Sequence, residues 1–338
     1  VTNQEVHDRL SRPLRDLRIS IMDRCNFRCS YCMPKEVFGK NYVFMKEDEL
    51  LSFEEIIRTA DQFARLGVNK LRITGGEPLL RKNVSELIEQ LHQINGIDDV
   101  ALTTNGVMLP KLAESLKVAG LKRVNVSLDA LDTTVFQEMS GRNTTAEVVL
   151  HGIESALKAG LGVKVNMVVK RGMNEQEVIP MARRCKELGI TLRFIEFMDV
   201  GQTNGWDYSK VVSKKELHNL VSEIAPLEAL EESYFGEVAS RYKYKDSTVE
   251  VGFISSVTET FCGTCTRARL SADGKIFTCL FSETGTDLKA DLRSGISDDK
   301  LREKIENVWS SRTDRYSELR TAETAKNRKK IEMSYIGG

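Results

Sequence analysis

From about residue 17 to 197 the chain alternates short β-rich runs with helical patterns, and six βα units in a row imply a parallel sheet. The runs that read as strands are 16–22, 69–75, 99–105, 123–129, 162–169 and 190–197. Helical patterns occupy 52–66, 83–94, 109–119, 146–159 and 174–188, several closing on a glycine (Gly67, Gly120, Gly160, Gly189) that suits the position after a helix end. An open doubly wound sheet and a partial barrel both fit this order, so the strand faces have to decide. At period two, one face carries Arg72, Thr74, Thr103, Asn105, Asn125, Ser127, Asp129, Lys164, Asn166 and Arg193, while the other carries Leu71, Ile73, Val124, Val126, Val163 and Val165. A sheet covered by helices on both sides reads as nearly continuous apolar runs. The half-polar pattern therefore predicts a curved sheet, an α/β partial (βα)6 TIM-like barrel whose concave side lines a wet, cationic cavity. In such barrels the site gathers at the C-terminal strand ends. A first group of cysteines, Gly75-Gly76-Glu77-Pro78, Thr104-Asn105-Gly106 and Met198-Asp199 all follow strand ends.

After Gly205 the alternation stops. A helical stretch at 213–223 leads to β-like 237–244 and 249–257, a hairpin around Asp273-Gly274, a helix near 299–309 and a polar basic tail. The expected organisation is a barrel core over 1–228 and a smaller C-terminal α+β region over 229–338 that closes the barrel. At 338 residues the core needs no disulfides. The 49 Lys+Arg balance 49 Asp+Glu, so charge gives no general argument for nucleic acid or an anionic membrane, and any anion affinity must be local. Residues 1–10 are polar, and no apolar run has spanning length, so a cytoplasmic protein is expected.

Six of the seven cysteines form two triads, Cys25-x3-Cys29-x2-Cys32 and Cys262-x2-Cys265-x13-Cys279. Cubane iron-sulfur clusters are held by four thiolates, so each triad would leave one iron open to water, substrate or cofactor. Structural zinc is the alternative, although such sites are closed and tetrahedral and the first triad has no nearby fourth ligand. Thiolate clusters need a reducing compartment. Cys185, within a helical pattern, reads as a small core residue. His7, His92, His151 and His218 show no ligand spacing.

The first triad, Tyr31 within it and TGGEP (74–78) after the next strand together resemble the radical S-adenosylmethionine superfamily. The second triad narrows the resemblance. FCGTCTRARLSADGKIFTCL (261–280), SRPLRDLRIS (11–20), DRCNFRCSYCMP (23–34) and the terminal YIGG (335–338) make the chain similar, essentially end to end, to the GTP 3′,8-cyclase family of molybdenum cofactor biosynthesis. Ser11 stands where a glycine is usual and Met22 where threonine is frequent; neither removes a ligand. The resemblance implies two [4Fe-4S] clusters and S-adenosylmethionine as cofactors. It implies that Cys25, Cys29 and Cys32 hold the S-adenosylmethionine cluster, and Cys262, Cys265 and Cys279 a second, substrate-side cluster. Tyr31, Gly76, Ser127 and Met198 match positions that contact S-adenosylmethionine. Arg18, Lys70, Arg72, Thr103, Lys164, Arg193, Arg267, Ala268 and Arg269 match positions near GTP, and Gly337 and Gly338 match a tail that enters the active site and is needed for turnover. The implied reaction is radical cyclisation of GTP, fed by an electron donor such as flavodoxin or ferredoxin, with hand-over of product to a cyclic pyranopterin monophosphate synthase. It allows a homodimer and requires neither nucleic acid nor a membrane.

The residues themselves point the same way. Arg267 and Arg269 are two apart, so both can lie on one side of a strand, and planar guanidinium groups suit phosphate. There is no GxxxxGK followed by Ser or Thr, so a triphosphate would depend on side chains. Two rivals remain: a radical enzyme that modifies peptides, whose pocket should lack the Arg/Lys set, and a zinc-bearing RNA-binding module built on the basic stretch Lys326 to Lys330. Aromatic residues are sparse and not interleaved with those charges, as stacking platforms would require.

Overall fold

A computed structural model describes residues 5–337 of the chain. All six expected core strands form, β5 with the expected bounds and the other five a little shorter: β1 Asp16–Ser20, β2 Lys70–Thr74, β3 Asp99–Thr104, β4 Arg123–Ser127, β5 Gly162–Val169 and β6 Thr191–Glu196. They are parallel neighbours in chain order. Six more strands follow: β7 Leu227–Ala229, β8 Ser240–Tyr244, β9 Glu250–Ile254, β10 Arg267–Leu270, β11 Lys275–Phe277 and β12 Thr286–Asp287.

The C-terminal strands do not form a separate sheet. β9 adds parallel to β6 and β10 adds parallel to β1, so one sheet of order β12-β11-β10-β1-β2-β3-β4-β5-β6-β9-β8-β7 runs through the molecule. Eight parallel strands thus build the wall, six from the core and one on each flank from the C-terminal region. Among the described residues β9 and β10 do not pair with each other, so the barrel stays open there. Phe194 and Phe253, directly opposed in register, stack at 5.8 Å and fix β9 against the core.

The apolar strand face lies under the helices, as the period-two pattern requires: Leu17, Ile19, Leu71, Ile73, Leu102, Val124, Val126 and Val165 are fully buried. Each contributes about 1.5–3 kcal/mol by leaving water. Cys185, on the helix Val178–Glu187, is also in this core, where burial pushes its thiol to about 12. The helix Asp298–Ser310 packs on Phe53–Arg65 through Arg58 to Asp298 at 2.7 Å, and buried Trp309 donates to the carbonyl of Arg12 at 3.1 Å. A helix at Thr133–Ser140 escapes the periodicity because eight residues are barely two turns. Its signals are end signals: Asp132 accepts from the amides of Thr134 and Val135, and Gly141 follows with φ +63°. No described helix is long and apolar enough to cross a membrane.

Candidate active site

The first triad stands at the C-terminal end of the barrel, on the loop leaving β1. Strand pairing continues into that loop through Ile21 N to Thr74 O (3.0 Å), Gly76 N to Met22 O (2.7 Å) and Glu77 N to Arg24 O (2.8 Å). The approach is so close that a Cβ on Gly76 would lie 2.2 Å from the Arg24 carbonyl oxygen. The glycine turn therefore shapes the cysteine loop itself. Buried Glu77 accepts from Leu79 N, Thr104 Oγ1 and Asn105 N, yet burial outweighs these bonds and raises its carboxyl to about 7. Arg28 ties the loop together, donating to the carbonyls of Cys25, Phe27 and Phe38. Tyr31 donates to Asp129 at 2.9 Å; burial raises that carboxyl to about 6, against the hydrogen bonds from Val168 and Tyr31. Tyr31, Gly76, Ser127 and Met198 share one cavity with the three cysteines.

The second triad lies at the other end, a departure from the expectation that the site gathers at C-terminal strand ends. Because β9 and β10 both run parallel to the core strands, residues 255–266 must return from the end of β9 to the start of β10, and they carry Cys262 and Cys265 down the open side. Cys279 follows β11, which runs back beside β10, and so comes level with Arg267, two residues from Cys265. Sequence reasoning did not anticipate the buried charges that hold this end. Arg12 donates to the carbonyls of Cys262 and Asp314 (both 2.8 Å) and pairs with Asp8; Arg312 pairs with the same Asp8 and donates to the sulfur of Cys265 at 3.3 Å. Burial alone would raise the Cys265 thiol, but Arg267 and Arg312 reverse this and bring it down to about 6. Cys279 is pushed up to about 11, chiefly by burial.

The donor set suits iron-sulfur clusters. Both triads offer only soft thiols to one shared cavity, and main-chain or guanidinium N–H groups reach the sulfurs: Phe27 N to Cys25 at 3.3 Å, Phe281 N to Cys279 at 3.4 Å and Arg267 to Cys265 at 3.4 Å.

Between the triads the cavity measures about 810 Å³. Arg18, Lys70, Arg72, Lys164, Arg193, Arg267 and Arg269 all line it, and none is within ion-pair distance of a carboxylate of another described residue. Neighbouring Arg123 and Arg241, by contrast, are neutralised by Asp99 at 2.5 Å and Glu250 at 2.7 Å. Arg269, Arg18 and Arg72 stand directly opposite one another on adjacent strands. Burial, then the charges of Arg269, Arg72 and Arg267, hold the Arg18 pKa well below its usual value; Arg193 and Arg269 are each lowered to about 9, first by burial. Lys70 rests 3.8 Å over the ring of Tyr234, a contact across the open side that the sequence gives no hint of. Thr103 Oγ1 and Asn125 Nδ2, adjacent in register, are buried without a partner among the described residues. Ala268 corrects the sequence-based picture: its side chain is in the core behind the sheet, so only its main chain can serve a ligand in this cavity.

Gly337 also reaches the cavity. Its carbonyl accepts from Arg269, and a Cβ there would lie 2.2 Å from Thr74 Cγ2. Gly338 lies outside the described residues.

Two family models match the chain, the Radical SAM superfamily over residues 19–185 and Molybdenum Cofactor Synthesis C over 190–318. A GTP 3′,8-cyclase of Staphylococcus haemolyticus (strain JCSC1435) is 54% identical over 337 residues, 99% of each chain, and one of Staphylococcus aureus (strain JH9) is 52% identical over 338 residues, again 99% of each. The chain belongs to the GTP 3′,8-cyclase family. Among solved structures, Streptococcus suis SuiB bound to S-adenosylmethionine matches with TM-score 0.59 at 18% identity, covering 87% of this chain and 68% of that one. SuiB bound to its precursor peptide SuiA gives 0.62 at 17%, covering 89% and 65%. At such identities the likeness is one of fold. As in the rest of the GTP 3′,8-cyclase family, the cofactors are two [4Fe-4S] clusters and S-adenosylmethionine.

Proposed function

We infer that this chain is a radical S-adenosylmethionine lyase that cyclises GTP to (8S)-3′,8-cyclo-7,8-dihydroguanosine 5′-triphosphate, the first step of molybdenum cofactor biosynthesis. The observation that carries this reading is the set of seven cations without a carboxylate partner among the described residues, in one cavity bracketed by two three-cysteine sets. Like charges buried side by side raise one another's energy, and a polyanion relieves that repulsion.

In this reading Cys25, Cys29 and Cys32 hold the cluster that works with S-adenosylmethionine, which Tyr31, Gly76, Ser127 and Met198 contact. Cys262, Cys265 and Cys279 hold the second cluster. When bound, the cofactors supply one-electron chemistry that removes a hydrogen from the nucleotide sugar. The protein's part is to hold and to shield. Arg18, Lys70, Arg72, Lys164, Arg193, Arg267 and Arg269 bind GTP through charge-assisted hydrogen bonds, with Thr103 and the main chain at Ala268 as further contacts. Arg193 is itself oriented by Asn166 at 3.0 Å, so its fork is aimed before substrate arrives. Gly337 and Gly338 form the catalytic tail. The division of labour falls near residue 228, with the 229–338 region supplying the second cluster and part of the GTP site. The same proposal includes a low-potential donor such as flavodoxin or ferredoxin, hand-over to cyclic pyranopterin monophosphate synthase, a homodimer, and the cytoplasm as the reducing compartment the thiolates need.

A peptide-modifying radical enzyme would have no use for so many cations. Anaerobic incubation of the reconstituted protein with GTP, S-adenosylmethionine and a reductant, followed by mass spectrometry, tests the reading: the cyclised nucleotide is expected, and 5′-deoxyadenosine without it would overturn the assignment.

A further inference from the structure

Residues 332–337 are held by two fixings on opposite sides of the cavity mouth. Glu332 accepts from Gln202 N at 2.9 Å and Thr203 Oγ1 at 3.2 Å, on the loop that follows Met198. Tyr335 donates to the Asp273 carboxylate, whose two oxygens lie at 2.7 and 2.6 Å, and receives Lys275 Nζ at 3.1 Å. Its ring meets Phe277 edge-on at 6.2 Å. Asp273, Lys275 and Phe277 all belong to the β10–β11 hairpin, the one that presents Arg267 and Arg269 and leads into Cys279. Just beyond the second fixing Ile336 is fully buried, and Gly337 lies two residues beyond Tyr335, between Arg269 and Thr74.

From this geometry we propose that Tyr335, acting through Asp273, is a positioning residue: it clamps the C-terminal strap to the hairpin and thereby sets where Gly337 stands beside Arg269 and Thr74. The proposal rests on the functional reading above for its consequence in turnover, but not for the clamp itself. A half-buried phenol that finds a carboxylate and an ammonium on the substrate-side hairpin fixes direction as well as depth, which the apolar Ile336 contact alone does not. Because the other fixing is on the loop after Met198, the strap spans the C-terminal end of the barrel from the loop after β6 to the turn after β10. A glycine tail displaced by an ångström would leave binding of GTP intact while failing to guide the reacting sugar.

The test uses reconstituted full-length holoenzyme carrying Tyr335→Phe, Asp273→Asn, or both. Deuterium uptake of the peptide spanning 331–338 is expected to rise in Tyr335→Phe with the hairpin peptide unchanged. The yield of cyclised nucleotide per 5′-deoxyadenosine should fall on the order of tenfold, with KM for GTP changed less than about twofold. Asp273→Asn keeps one acceptor oxygen and should lose less, and the double variant should be no worse than Tyr335→Phe alone. An unchanged tail exchange, or a loosened tail with unchanged coupling, would overturn the proposal. Should the wild-type protein cyclise no GTP, the functional reading fails, while deuterium uptake still decides whether Tyr335 clamps the strap.

Discussion

Arg312 donates through Nη1 to the main-chain carbonyl of Cys265 at 2.8 Å and through Nη2 to its sulfur at 3.3 Å, so one guanidinium fixes both the backbone and the thiol of a proposed cluster ligand. It also shares buried Asp8 with Arg12. Arg312→Leu removes the counter-charge and leaves Asp8 half-compensated, a loss of about 3–5 kcal/mol for a buried pair. The reconstituted variant should bind about four irons instead of about eight, the second cluster being lost. Iron and acid-labile sulfide analysis decides it; a full complement would show that Arg312 is dispensable.

Gly76→Ala tests the role of the glycine turn. A ligand contact alone predicts weaker S-adenosylmethionine binding with the first cluster intact. The 2.2 Å approach of a Cβ to the Arg24 carbonyl predicts more, because the Asp23–Arg24 main chain must move and carries Cys25 with it. Loss of the first cluster's absorbance, with the second retained, is the expected outcome.

The cations of the cavity should not be equivalent. Lys164→Ala, Arg193→Ala or Arg267→Ala should each weaken GTP binding by about 1.5–3 kcal/mol, the scale of one hydrogen bond to a charged group. Arg123→Ala should cost less than about 1 kcal/mol, since Asp99 already neutralises that guanidinium. Anaerobic titration calorimetry would contradict this ordering if Arg123 proved as costly as the others.

Glu77 predicts a pH signature in stability. Burial raises its carboxyl from 4.5 in the unfolded chain to about 7 in the fold. The folded state therefore holds the proton longer, so Glu77's contribution is full below about pH 4.5 and is lost as pH rises through about 7, by about 3 kcal/mol in all. Urea unfolding of wild type and Glu77→Gln at pH 5 and pH 8 should show wild type losing more of its stability over that interval. Parallel losses in the two proteins would exclude this role.

The core strands and the cavity-facing cations were legible because one rule governs both: polar residues recurring at every second position of otherwise apolar strands have to face a common interior. That rule found Arg72, Lys164 and Arg193, and applied to β10 it separates Arg267 and Arg269 from the core-facing Ala268. Contacts between residues far apart in the chain left no periodic trace. Nothing local says that β10 lies beside β1, that Asp8 serves both Arg12 and Arg312, or that Tyr335 reaches Asp273. The cysteine triads are plain in the sequence, but their placement at opposite ends follows from the direction of β10, which only the pairing reveals.

That pairing has a consequence for how the protein is made. β1 is synthesised before the other described strands of this sheet, yet its outer neighbour begins some 250 residues later, as the bond between Asp16 and Thr266 records. β6 likewise waits for β9. Throughout most of translation the nascent sheet carries two bare parallel edges, the condition under which partly folded chains associate wrongly. Prematurely terminated chains should therefore be sticky and short-lived rather than partly competent, and completion of the wall coincides with delivery of the second triad, since both arrive on the same stretch of polypeptide.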